Sequence, residues 1–179
     1  VGLSKMAHLA SEEEFDDLYN IDVRGVWLMS KAFVKQLQNN SKKGNIVNIS
    51  SVHSLATISN YAIYASAKSA VNGLTKGMSI ELGNQGIRCN AVAPGYVHAA
   101  QNEALISSWT DDPKKWVEDV KNDYQSLPNE ISAQDCGNSV AFLLSNLSKS
   151  ITGQVITVDG GSINLLHANS FISKEKNKL

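Results

Sequence analysis

Asn45-Ile46-Val47-Asn48-Ile49-Ser50-Ser51, read together with residues 61–95, decides the fold. The stretch comes after the breaker Asn39-Asn40-Ser41-Lys42-Lys43-Gly44 and is rich in β-branched residues, so it reads as a short strand. A helix is expected next, from near Tyr61 to Leu82, with Gly83 and Gly86 bracketing its end. Ile87-Arg88-Cys89-Asn90-Ala91-Val92-Ala93 is a second short strand, closed by Pro94-Gly95. Strand, helix, strand is the unit that joins parallel neighbours, and it predicts an α/β fold on a parallel sheet.

Working outward, Ser11-Glu12-Glu13-Glu14 is a capping box with three acids at the positive end of the helix it opens. Phe15, Leu18, Tyr19, Val23, Val26, Trp27, Ser30, Phe33, Val34 and Leu37 recur at three and four, which predicts one long amphipathic helix to about Asn39. Residues 96–128 are polar and weakly periodic. They read as a lid-like substrate-loop insertion with short helices over 102–108 and 113–124, the second opened by Pro113. A helix over 133–146 and a last strand over 154–159 precede Gly160-Gly161. The charged segment 173–179 is expected to be a loose tail, and residues 1–179 form a single domain.

Composition narrows the function classes. With 42% hydrophobic and 18% charged residues the chain of 179 residues is ordinary globular material, and a formal net charge of -1 without a basic block argues against nucleic acid or anionic lipid as partner. Cys89 and Cys136 lie far apart without metal-ligand spacing, which fits a reducing compartment and gives neither a metal site nor a disulfide framework. No apolar run reaches membrane-spanning length and the start has no secretory pattern, so a cytoplasmic protein is expected. Asn177-Lys178-Leu179 resembles a peroxisomal Ser-Lys-Leu address only faintly.

Chemistry appears at Tyr64-Ala65-Ser66-Ala67-Lys68. A tyrosine and a lysine four apart share one helix face about 6 Å apart along the axis, and a serine reaching the same point completes a proton-transfer site. The spacing of Ser51 to Tyr64, the strand into Ser51, the strand ending in Asn90-Ala91-Val92-Ala93-Pro94-Gly95, and Thr152-Gly153-Gln154 leading to Asp159-Gly160-Gly161 occur in one order. Together they resemble the short-chain dehydrogenase/reductase family, over about residues 3–161.

That resemblance implies a Rossmann-like doubly wound parallel sheet in three α/β/α layers, NAD or NADP as cofactor, and a small-molecule alcohol or carbonyl substrate. It gives Tyr64 the role of general acid or base, Lys68 that of lowering the tyrosine's pKa and holding the nicotinamide ribose, and Ser51 that of orienting the reacting oxygen. Pro94 and Gly95 match the turn beside the nicotinamide, with Val97 offering main-chain hydrogen bonds, while Tyr96 and His53 border the substrate pocket. Ser50, one residue earlier on the strand, points the other way and reads as structural. Moving a phenol from ~10 to about 7 requires roughly 4 kcal/mol, and one ammonium at ~4 Å in an effective dielectric of ~20 supplies about that.

The sequence departs from the family pattern in three places. The N-terminal half-sheet, with its glycine-rich pyrophosphate turn, has no counterpart, and Val1-Gly2 resembles the residues directly after that half; the chain therefore reads as N-terminally truncated, a piece of something longer. Gly73 and Gly77 do not replace the turn, because they fall inside a helix, where close helix packing is the expected reason for them. The family's catalytic asparagine aligns with Asp22, a carboxylate able to pair with Lys68 directly or through water, and the threonine expected after Val97 is Ala99.

These residues fit two functions. One is an oxidoreductase interconverting an alcohol and a ketone by hydride transfer, with Tyr64 as acid/base. The other is a non-catalytic family member acting as an assembly or interaction subunit. The apolar faces of the two long helices, including Trp27, Phe33, Leu74 and Met78, suit either packing on the sheet or a homodimer or homotetramer contact.

Overall fold

A computed structural model of the chain describes residues 2–98, 106–107 and 109–171. Ser11 caps the first helix as its sequence predicts: its hydroxyl accepts from the Glu14 amide at 3.1 Å, and the Glu14 carboxylate accepts from the Ser11 amide at 2.8 Å. The helix continues to Asn39, but not as one uniform α-helix. Helix α1 (Glu12–Tyr19) passes into a π-helical segment (Asn20–Gly25) and then α2 (Val26–Asn39). Such wide turns are rare and gather at functional positions. This one carries Asp22, whose side chain is buried.

Strand β1 (Gly44–Ile49) runs parallel to β2 (Ile87–Pro94), with Gly44 opposite Ile87 and Ile49 opposite Val92. Helix α3 (Ala62–Leu82) makes the crossover between them. Strand β5 (Val155–Val158) pairs parallel with the other edge of β2, giving the order β1-β2-β5. Val34 and Leu37 from α2, Met78 and Leu82 from α3, and Ile46, Ile87 and Cys89 from the strands form one core cluster, so α2 and α3 cover the same face. Helix α5 (Ala133–Leu144) packs against β1, β2 and β5. Asn45, one position from Ile46 and therefore on the opposite face, donates to the Leu144 carbonyl at 2.6 Å. The result is the expected three-layer α/β/α arrangement.

Leu74 and Met78 resolve toward the core, Met78 within the cluster and Leu74 packed against it, so they do not belong to a free helix face. Trp27 and Phe33 remain at the surface. Among the described residues nothing packs closely on Gly73 or Gly77: a Cβ at either would meet nothing within 4 Å.

Between β2 and β5 lies the insertion. Strand β3 (Val97–His98) pairs parallel with β4 (Ile131–Ser132), a two-residue ladder too short to leave a periodic signal in sequence. Between them α4 (Pro113–Asp123) starts at the proline as expected, with Asp112 accepting from the Lys115 amide at 3.0 Å. The Ser126 amide donates to the Gly160 carbonyl at 2.8 Å, and Gln125 lies buried at the same turn, so the insertion is fastened to the end of β5. Most of the helix expected over 102–108, together with Ala99 and the tail over 173–179, lies outside the described residues.

Candidate active site

Parallel strands of this kind place their functional loops beyond the carboxyl ends of the strands, and the candidate residues gather there. Just past β1, Ser50 and Ser51 are both buried, but they do different things. Ser50 Oγ lies 3.2 Å from the main-chain carbonyl of Lys68 and 3.2 Å from Ser54 Oγ, fixing the turn against α3. Ser51 accepts from the His53 amide at 3.2 Å, and its hydroxyl is near enough to the Tyr64 phenol to favour the phenol's ionised form.

Tyr64 and Lys68 occupy the first two turns of α3. Helix periodicity puts them on one face, and the Lys68 ammonium sits 5.6 Å from the centre of the Tyr64 ring. Lys68 Nζ also lies 3.2 Å from the Asp22 carboxylate and donates toward the Ile49 carbonyl at 3.5 Å. Asp22 thus meets Lys68 directly. Both side chains are almost wholly shielded, 5% exposed for Asp22 and 11% for Lys68, so water screens the pair little.

Burial pushes the Tyr64 phenol up from its ordinary value. The Ser51 hydrogen bond opposes the rise, and the negative charge of Asp22 and the neighbouring Tyr61 add to it. An ammonium acts on a phenol through its field, and a carboxylate at ion-pair distance from it opposes that field.

The aromatic surroundings are only partly legible in the sequence. His53 stacks on Tyr61 with ring centres 4.7 Å apart and meets Tyr64 edge-on at 5.6 Å, while Tyr61 meets Tyr64 edge-on at 6.0 Å. Thr57 Oγ1 holds His53 Nδ1 at 2.9 Å, and burial lowers the imidazole's pKa, so the ring is neutral at pH 7. Sequence reasoning missed Tyr61. Its position three residues before Tyr64, on the same side of the helix start, was the available signal.

Pro94 ends β2, and the Gly95 amide donates to the Val158 carbonyl at 2.9 Å. A Cβ on Gly95 would lie 2.9 Å from Asp159 Cα and from its Cβ, so the turn after β2 requires glycine at that position. Val97 sits in β3 opposite Ile131. Tyr96 packs edge-on against Trp116 of α4, ring centres 5.0 Å apart, and Trp116 in turn meets Trp109 at 5.7 Å. Rather than stacking with Tyr64 and His53, Tyr96 ties the turn after β2 to the insertion.

A groove of about 660 Å³ opens between the π-helical segment, α2 and the outer edge of β1, and reaches Lys68 at one end. Its walls are mostly apolar, including Ile21, Val26, Met29 and Phe33, and the charged pair among its lining residues is Asp22 with Lys68. Among the described residues no group of three His, Cys, Asp or Glu side chains comes together, and no helix is long and apolar enough to cross a membrane.

Parallel α/β layers with Ser51, Tyr64 and Lys68 gathered at the strand ends define a Rossmann-like α/β fold, and comparison with known proteins makes the class specific. The profile of the family described as enoyl-(acyl carrier protein) reductase matches residues 2–162. Dehydrogenase/reductase SDR family member 6 of Rattus norvegicus is 36% identical over 151 residues, covering 84% of this chain and 60% of that protein. (+)-Borneol dehydrogenase 2 of Salvia officinalis is 36% identical over 161 residues, covering 86% of this chain and 55% of that one. A solved 4-hydroxyisoleucine dehydrogenase mutant, complexed with NADH and succinate, superposes with a TM-score of 0.82 at 27% identity, over 92% of this chain and 65% of the other. ElxO with NADP bound superposes with a TM-score of 0.80 at 30% identity, over 92% and 64%. The chain belongs to the short-chain dehydrogenase/reductase family. It spans 60% and 55% of the length of these two relatives, the rat and the sage protein.

Proposed function

We propose that the protein carrying this chain is an NAD(P)H-dependent oxidoreductase that interconverts a small ketone and the corresponding secondary alcohol, with Tyr64 as its acid/base. The observation that carries the reading is the gathering of three groups at the strand end: the buried Ser51, whose hydroxyl acts on the Tyr64 phenol, and the Lys68 ammonium 5.6 Å from the centre of the Tyr64 ring. A carbonyl oxygen placed between Ser51 and Tyr64 is oriented by the serine and protonated by the phenol. The family's nicotinamide cofactor, when bound, supplies the hydride and its two electrons to the carbonyl carbon. The balance is then one hydride to carbon and one proton from Tyr64 to oxygen, and the phenolate takes its proton back from solvent.

The residues at the strand ends fit the nicotinamide end of such a cofactor. Gly95, which tolerates no side chain, lets backbone approach closely after β2, and Lys68 lies at the end of the groove. Pro94, Gly95 and Val97 would line the nicotinamide, with Lys68 and Tyr64 toward its ribose. No glycine-rich pyrophosphate turn occurs in the 179 residues, so the chain by itself is expected to bind NADH or NADPH very weakly. His53 and Tyr61, one neutral imidazole and one phenol beside Tyr64, border the substrate. The test is deuteride transfer: cofactor labelled at the transferring C4 position, incubated with the full translated protein and a small ketone, should deliver label to the carbinol carbon. Label appearing only in solvent would overturn the reading.

An assembly role is the second reading, favoured by one observation. Met29 is 73% exposed and Ile80 82% exposed, Trp27 and Phe33 are partly exposed, and Gly73 and Gly77 stand open on the same layer of helices. Backbone and apolar side chains there are accessible to a second copy, and a homodimer or homotetramer through α2 and α3 would cover them. Sedimentation of the purified protein separates a monomer from these assemblies.

A further inference from the structure

We propose that Asp22 is a positioning residue that engages the Lys68 ammonium and thereby keeps Tyr64 a proton donor, setting the site for carbonyl reduction at neutral pH. The inference deepens the proposed oxidoreductase reading and rests on it for the direction of the chemistry. It stands on where three side chains sit. Asp22 occupies the π-helical segment, the stretch of the long helix whose wide turn departs from regular geometry, and its carboxylate points inward to Lys68 Nζ at 3.2 Å. Nζ also reaches the Ile49 carbonyl, at 3.5 Å, where β1 ends. Tyr64 sees the ammonium across its ring, 5.6 Å from the centre.

The groups facing Tyr64 can be taken element by element. From the π-helical segment comes Asp22, negative; from α3 comes Lys68, positive and paired with it. From the turn before α3 comes Tyr61, neutral, and from the turn after β1 come His53, neutral at pH 7, and the Ser51 hydroxyl. Helix α1 contributes Leu18 and Tyr19 to the apolar cluster against which Tyr64 packs. The formal charges of these groups around the half-buried phenol sum to zero. A half-buried phenol without a net positive charge beside it keeps its proton, and the rise in its pKa agrees. Protonating a carbonyl oxygen needs that proton; abstracting one from an alcohol needs its absence.

The experiment titrates the full translated protein and needs neither cofactor nor turnover. The phenolate band in the ultraviolet difference spectrum is tracked with pH for the wild type and for Tyr64→Phe, and their difference isolates Tyr64. In Asp22→Asn the Lys68 charge is uncompensated, and the ionised fraction of Tyr64 at a fixed pH below its midpoint should rise about tenfold. Asp22→Glu keeps the charge and should keep the wild-type curve. Asp22→Ser is the second uncharged variant should the amide not be accepted in the wide turn, and circular dichroism confirms folding. A Tyr64 curve unchanged in a folded uncharged variant would overturn the proposal. Absence of NAD(P)H-dependent turnover would overturn the oxidoreductase reading instead, and leaves this titration untouched.

Discussion

The carboxylate of Asp22 and the ammonium of Lys68 lie 3.2 Å apart inside the protein, one on the wide turn between α1 and α2, the other on the second turn of α3. They join the long first helix to the helix that carries Tyr64. Removing one member of such a pair leaves the other charge in a poorly hydrated place. Lys68→Met should therefore destabilise the fold by about 3 kcal/mol, read as a lowered midpoint in urea denaturation with little change in slope.

Gly95 makes a second exacting contact. Because a methyl there would meet Asp159 Cα and Cβ at 2.9 Å, and one of those atoms is backbone, the two turns must separate to admit it. Gly95→Ala should cost about 1–3 kcal/mol. It should also loosen the turn after β5, where Asp159 accepts from the Gly161 and Ile163 amides at 3.1 and 3.0 Å. Faster amide exchange at Gly161 and Ile163 is the specific sign.

Cys89 predicts an alkaline limit. Its thiol is wholly buried in the core cluster, and burial pushes it up from 9.0 to about 11. The folded form holds the proton more tightly than the unfolded chain, so the stability this contributes is complete below pH 9 and is lost as pH rises from 9 to about 11. Two pH units correspond to about 2–3 kcal/mol. Tyr64, also raised, adds a loss of the same sign above its ordinary value near 10. Denaturation midpoints across this range should fall, and fall less in Cys89→Ala.

His53 gives the opposite edge. Its imidazole is lowered by burial, so the unfolded chain binds the proton more readily than the folded one. Stability should decline as pH drops below about 6.5, the ordinary value for histidine, and His53→Gln should flatten that decline. Thermal denaturation between neutral and mildly acid pH measures it.

How much of the fold and site is legible in the chain depends on the range of the interaction. Residues 45–49 and 87–93 announce parallel strands, and the 61–82 periodicity announces the crossover helix, because burial on a regular element repeats along the sequence. The Tyr64-Lys68 face is legible for the same reason. Asp22 is visible as a departure at a matching position, and its ability to pair with Lys68 is legible too; that the pairing is direct depends on a wide helical turn, which leaves no pattern in the residues. Tyr96 meets Trp116 across the insertion, a contact that no sequence pattern announces. That contact, like the Val97 to Ile131 pairing, joins segments far apart in sequence through two-residue or single-ring contacts. Gly73 and Gly77 show the same limit, since an open glycine and a packed one read alike.

The most direct test of the central claim is nicotinamide oxidation by the full translated protein with a small ketone, compared with its Tyr64→Phe variant. Phenylalanine keeps the ring contacts with His53 and Tyr61 and removes only the proton donor, so turnover should fall by about 10²–10⁴ while cofactor affinity changes little. Wild-type turnover in Tyr64→Phe would contradict the assignment of Tyr64 as the acid/base.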